Sequence, residues 1–359
     1  MTGIKRSPGD FSIEELDREL IARGAKIPEK ERFHFRDTAG TPARDEIMRQ
    51  TAKLYRPENV PPLNQNLDHL SMEQLTGALI LAIREAESDR AARGHGIRMD
   101  MYEISDPDIK RNARAVVSIW MNDNVEDNQN GFSSLRHKQY GESFNLHRSE
   151  PYYKQPIAGG RLCTGFLVGE DVIATAGHCA DENNVKALRF VFGYEMKGPD
   201  DPVTQVPDVD IYNGEEIIRR VYDPMGSGAD WALVKLDRRV TGRDTVTLSE
   251  AGIRRDHPVY VLGHPCGLPL KYVPDEPVTM MDRAFFSAEL TVYGGNSGSP
   301  VFSSETHRAV GIVVRGDQQD FRWTGTGWMS VRYPNPMLKS SAPQCTRVSE
   351  FITYCRKEK

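Results

Sequence analysis

A mainly β fold with an α-helical unit added at its N-terminus is predicted by three observations. Beyond about residue 100 the chain breaks into short β-prone runs separated by Gly, Pro, Asp and Asn. Before that point it carries helix-capping boxes followed by apolar residues every three to four positions. The composition, 38% hydrophobic and 27% charged over 359 residues, is that of a globular chain long enough for one large or two ordinary domains. Residues 1–100 therefore read as a helical extension and residues 101–359 as a β domain.

The helical unit opens at Ser12, which with Glu15 forms an S-x-x-E box before Ile13, Leu16, Leu20 and Ile21, and Gly24 ends that segment. A second box, Ser71 with Gln74, opens a longer helix in which Leu75, Leu79, Ile83 and Ala86 share a face until Gly94. Between them "ARDEIMRQTAKLY" predicts a third helix, and "RPENVPPLNQN", with three prolines, a loop. The strands follow as "ARAVVSIW", "LCTGFLVG", "DVIATAG", "ALRFVFGY", "WALVKL", "HPVYVLG", "SPVFSS" and "AVGIVVRG", at the spacing of a sandwich or barrel.

No apolar run approaches the roughly 20 residues of a membrane span. The start, "MTGIKRSPGDFSIEELDREL", has no apolar core of a secretory signal, so the expected location is the cytoplasm. A net charge of −5 and the lack of a compact Lys/Arg block argue against nucleic acid as a partner. Five scattered cysteines form no C-x-x-C and no paired His/Cys spacing, so neither a metal site nor a cofactor is expected. Cys163 and Cys179 flank two runs joined at Gly169-Glu170, a hairpin that brings them close. An oxidising compartment would bridge them, and a reducing one would keep them as neighbouring thiols.

Three stretches carry chemistry. "DVIATAGHCA" ends a β-prone run in His178, which Gly177 allows to turn toward a cleft. "SGADWALVKLDR" sets Asp230 at the entrance of an apolar strand, where a partly shielded carboxylate can orient an imidazole. In "YGGNSGSPVF", Gly294, Gly295, Gly298 and Pro300 bend the chain around Ser297 and aim the N–H groups of Gly295 and Ser297 into one concavity, a candidate oxyanion hole. A serine hydroxyl is a weak nucleophile. Acyl transfer needs a base for its proton, an acid to hold that base, and donors for the oxyanion, and the chain supplies them in the order His178, Asp230, Ser297.

On these residues the chain resembles the trypsin/chymotrypsin-like serine proteases, at Thr175-Ala176-Gly177-His178-Cys179, Asp230-Trp231-Ala232-Leu233 and Gly295-Asn296-Ser297-Gly298-Ser299-Pro300. The resemblance covers about residues 105–355. It implies a double six-stranded β-barrel, a serine endopeptidase working through an acyl-enzyme on protein substrates, and a Cys163–Cys179 bridge common in the family. "GGNSGSPVF" and "LGHPCGLPLKY" are closer to the bacterial branch that includes glutamyl endopeptidases.

Two departures from the pattern matter. Asn296 stands where digestive relatives carry the aspartate that receives a freed N-terminus, so that mode of activation is not expected. Val313 stands where glutamyl enzymes place the histidine that reads a substrate carboxylate. The implied substrate pocket is Thr291, Val292, Val313 and Gly316, with Asp317 and Asp320 nearby as either a source of negative charge or solvated loop acids. The helical unit is then either an adaptor that binds a protein partner of a regulated intracellular peptidase or an extension that stabilises the fold. The competing function is a catalytically silent fold that serves as a protein-binding module.

Overall fold

The computed structural model describes residues 13–23, 67, 70–80, 98–160, 162–223, 228–316, 321–323, 327–330 and 342–355. Ser12, the expected third helix, the proline loop, the second helix beyond residue 80, and both Asp317 and Asp320 lie outside them.

The described residues of the N-terminal unit include two helices, α1 (Ile13–Ala22) and α2 (72–80). The second box closes as its sequence predicts: Gln74 N–H donates to Ser71 Oγ at 3.2 Å and Ser71 N–H to Gln74 Oε1 at 2.8 Å. Leu16 and Leu20 of α1 pack with Leu67, Leu70, Leu75 and Leu79, and Met329 from the far end of the chain completes this cluster. Arg23, paired with Glu19 at 2.7 Å, ties α1 to the Leu67 carbonyl at 2.6 Å.

A two-residue strand β1 (Met99–Asp100) leads into the β domain, and α3 (Pro107–Ala113) follows, N-capped by Asp106. The first barrel is built from β2 (Val116–Met121), β3 (Leu162–Leu167), β4 (Val172–Thr175), β5 (Leu188–Phe192), β6 (Ile211–Tyr222) and β7 (Asp230–Leu236). It closes in the order β6-β7-β4-β3-β2-β5. The second uses β8 (Pro258–Gly263), β9 (Lys271–Met281), β10 (Phe285–Ala288), β11 (Pro300–Ser303), β12 (Ala309–Arg315) and, past a hairpin of β13 (Phe321–Trp323) and β14 (Trp328–Ser330), β15 (Gln344–Arg347). Its order is β9-β8-β11-β12-β15-β10, closed by β9 pairing with β10, while β1 adds to the outer side of β9. The fold is thus mainly β with two closed six-stranded barrels, as the resemblance implies.

All eight predicted runs are strands. Four barrel strands, β6, β9, β10 and β15, were not predicted. The 12-residue β6 reads IYNGEEIIRRVY and is half exposed along most of its length, so its apolar positions do not alternate. In β9, Pro274 and Pro277 look like breakers, yet Pro277 sits opposite Pro258 next to a register shift, where a missing N–H costs no ladder bond. One apolar cluster runs through both barrels and includes Val117, Phe166, Ile173, Trp231, Leu262, Phe302 and Ile312. It fixes the barrels against each other along the seam where the motif residues lie.

Candidate active site

The four residues of β4, VIAT, are all buried, and the β-branched pair Val172-Ile173 suits a strand enclosed on both faces. After Thr175 the chain must turn beside β7 with almost no room. A Cβ on Gly177 would meet the Val221 carbonyl at 2.4 Å and Asp230 Oδ1 at 3.1 Å. Only a glycine brings His178 this close to the acid.

Asp230 is the first residue of β7, opposite Tyr222 across the ladder. Thr346 of β15 locks its backbone from the second barrel, accepting Asp230 N–H at 3.1 Å and donating its hydroxyl to the Asp230 carbonyl at 3.0 Å. The carboxylate receives His178 twice: the backbone N–H reaches Oδ1 at 3.1 Å, and Nδ1 lies 2.7 Å from Oδ2. The two side chains are 9% and 2% exposed, so the contact is shielded from water. A carboxylate accepts and does not donate, which assigns the proton of that bond to Nδ1 and leaves proton exchange on the other side of the ring to Nε2.

The serine loop arrives from the second barrel. The Ser297 carbonyl accepts Thr164 N–H at 2.8 Å, and Cys179 Sγ lies 3.7 Å from the same oxygen. At Gly298, φ is +89°, and a Cβ there would fall 1.9 Å from the Thr164 carbonyl and 2.2 Å from Thr175 Oγ1. The Ser297 loop therefore lies against β3 and the end of β4, three residues before His178. At Gly295, φ is +95°, and a Cβ would meet the His264 carbonyl at 2.4 Å. Asn296, Gly298 and Ser299 donate their N–H groups to Tyr293, Val313 and Asn296. Among the described residues the N–H groups of Gly295 and Ser297 donate to no backbone carbonyl, the condition for two donors kept for a ligand oxygen.

The sequence reading assigned no role in the site to two supports of this loop. Thr164, fully buried, donates its hydroxyl to the Gly295 carbonyl at 2.9 Å and accepts His264 N–H at 3.2 Å. The turn His264–Gly267 braces the other side, where Cys266 N–H donates to the Gly294 carbonyl at 2.5 Å with Cys266 at φ +55°. Burial lowers the His264 imidazole to about 3 despite its bond to the Leu268 carbonyl, so the ring is neutral where it stacks on Tyr194.

Of the pocket residues, Val292 and Val313 pack in one buried cluster, and a Cβ on Gly316 would lie 3.8 Å from Val292. Thr291 is 1% exposed, and its hydroxyl has no partner among the described residues. Cys163 and Cys179 are joined as a disulfide. Their sulfurs lie within 4.8 Å of a His178 ring nitrogen, but bonded to each other they are not metal ligands. Asp106, Asp108 and His307 form a second cluster with ligand-like spacing on another face of the molecule.

Residues 163–312 match the family model of the trypsin-like peptidase domain. The chain is similar to that domain over this segment, which is less than half of its length. The matched segment includes His178, Asp230 and Ser297 and stops one residue before Val313, and the helical unit lies outside it. Solved structures similar to this chain include a Glu endopeptidase in complex with MPD, at 16% identity and a TM-score of 0.44, covering 73% of this chain and 97% of that one. Another is the VesB protease of Vibrio cholerae, at 16% identity and a TM-score of 0.45, covering 73% of this chain and 67% of that one.

Proposed function

We propose that the chain is a serine endopeptidase. Ser297 Oγ attacks the carbonyl carbon of a peptide bond while His178 Nε2 takes its proton, and the Gly295 and Ser297 N–H groups hold the oxyanion that forms. As the intermediate collapses, the C–N bond breaks, the amine leaves with the proton from His178, and the acyl group remains on Ser297 as an ester. Water repeats the two steps and frees the carboxylate. Asp230 keeps the imidazole in one tautomer and stabilises the imidazolium without leaving its place.

The observation that carries this reading is the shielded 2.7 Å contact between His178 Nδ1 and Asp230, reached from a strand against which the Ser297 loop is seated. Thr291, Val292, Val313 and Gly316 carry no charge, so through these four positions the pocket favours neither an acidic nor a basic side chain. A regulated role in a bacterial cell, with the helical unit as the seat of a protein partner, belongs to the same proposal. It is supported by that unit's separate apolar cluster and by Asn296 at the position of the activation aspartate.

Cleavage of a diverse peptide library by the parent and by Ser297→Ala tests the mechanism. The variant should keep its fold and lose rate by several orders of magnitude. Equal cleavage by both proteins would rule the mechanism out.

A further inference from the structure

The loop that carries Ser297 begins at Tyr293, and Tyr293 is held between two groups from outside the barrels. On one face Phe321 of the β13–β14 hairpin stacks at 5.7 Å, with ring planes 27° apart. Over the ring lies the guanidinium of Arg98, 4.4 Å from the centroid. Arg98 is 7% exposed, and its Nη1 has no hydrogen-bond partner among the described residues. Among the described residues no carboxylate pairs with it. A buried guanidinium is costly to leave with an unbonded N–H group, because arginine does not shed its charge, and the Tyr293 and Tyr152 rings lie beside it.

The segment holding Arg98 is tied down on every side. Asp100 and Met99 pair with Lys271 and Tyr272 of β9. The fully buried Lys271 ammonium bonds the Asp100 carboxylate and donates to Gln155 Oε1 at 2.6 Å, and Gln155 donates back to Asp100 at 2.8 Å. Burial lowers that ammonium to about 8 against the pull of Asp100. Tyr152 donates its hydroxyl to the Arg98 carbonyl, and its ring lies 5.4 Å from the guanidinium. These bonds fix the backbone from which the Arg98 side chain reaches Tyr293.

We infer that Arg98 is a positioning residue for the Ser297 loop, its cation fixing Tyr293 so that the N–H groups of Gly295 and Ser297 keep facing one point. This rests on the peptidase reading of that loop. The link from Tyr293 to the donors is short: Tyr293 accepts Asn296 N–H at 3.0 Å, and the two residues between them include Gly295. A ring that shifted would carry the Gly294–Gly295 peptide with it. Asn296 offers no charge to hold a cation beside the nucleophile, and the cation meets the loop at Tyr293 instead. Arg98 leads out of the helical unit, and the hairpin that supplies Phe321 also supplies Met329 to that unit's core, so both supports of Tyr293 trace back to the same part of the molecule.

The test is the reaction of a fluorophosphonate probe with full-length parent, Arg98→Met, Arg98→Lys and Tyr293→Leu, with the maximal inactivation rate and the half-saturating probe concentration measured separately. Arg98→Met should lower the maximal rate about 100-fold, the size of one lost oxyanion donor, with half-saturation little changed. Arg98→Lys should recover much of the loss, since an ammonium also binds a ring face. A folded Arg98→Met that reacts within about twofold of the parent overturns the inference. Should Arg98→Met fail to fold, Tyr293→Leu decides, where parent-like reaction overturns the inference and a comparable loss supports it. A parent that does not react at Ser297 fails the peptidase reading itself, which separates the two outcomes.

Discussion

Thr164 lies beneath the oxyanion loop with no exposed surface, its hydroxyl shared between the Gly295 carbonyl and His264 N–H. Thr164→Val keeps the shape and removes both bonds, leaving a buried N–H and a buried carbonyl to face methyl groups. A stability loss of about 1 to 3 kcal/mol is expected, together with a fall in kcat larger than any rise in KM, since the loop's donors act on the transition state. Urea unfolding and steady-state kinetics on a cleaved peptide check this, and unchanged kcat would remove Thr164 from the site. At this scale the sequence was legible where chemistry demands rare local patterns: His178 after a glycine turn, Asp230 before an apolar run, Ser297 among glycines. Thr164, Thr346 and Arg98 were not legible. Each acts through a contact with residues more than a hundred positions away, and each is an ordinary residue in its own stretch.

The His264–Gly267 turn is an element with a pH dependence of its own. His264 titrates near 3 when folded and near its ordinary value of about 6.5 when unfolded, so between these limits the unfolded chain binds a proton that the folded one refuses. Folded stability therefore falls as pH drops through that window, by on the order of 4 kcal/mol at its lower end. Between pH 7 and pH 4.5 the parent should lose about 2 kcal/mol more than His264→Asn in urea unfolding. Equal losses would show that the ring is not held neutral. Strands were legible where both faces are buried and apolar runs are continuous, as in β3, β4 and β12. The strands β6 and β9 pair through backbones while much of one face meets solvent, and their composition hides that.

At the scale of the whole molecule, the boundary set near residue 100 falls inside a working contact, because Asp100 pairs with a lysine that has no exposure at all. A chain shortened to start at Met101 strands the Lys271 charge, whereas one starting at Gly94 keeps the Arg98–Asp100 segment and loses only the helical unit. The first should melt about 10 °C below the second, from the roughly 3 to 5 kcal/mol that breaking a buried pair costs. Matching melting temperatures would place the Asp100–Lys271 pair outside the stability of the barrels. Within that fold, His178 and Asp230 are proposed to activate Ser297. Labelling the full-length protein with a fluorophosphonate and mapping the adduct by tandem mass spectrometry tests it most directly. One adduct is expected, on Ser297, lost in His178→Ala and strongly slowed in Asp230→Asn. No adduct on the parent, or labelling of Ser297 that persists at the parent rate without His178, would contradict it.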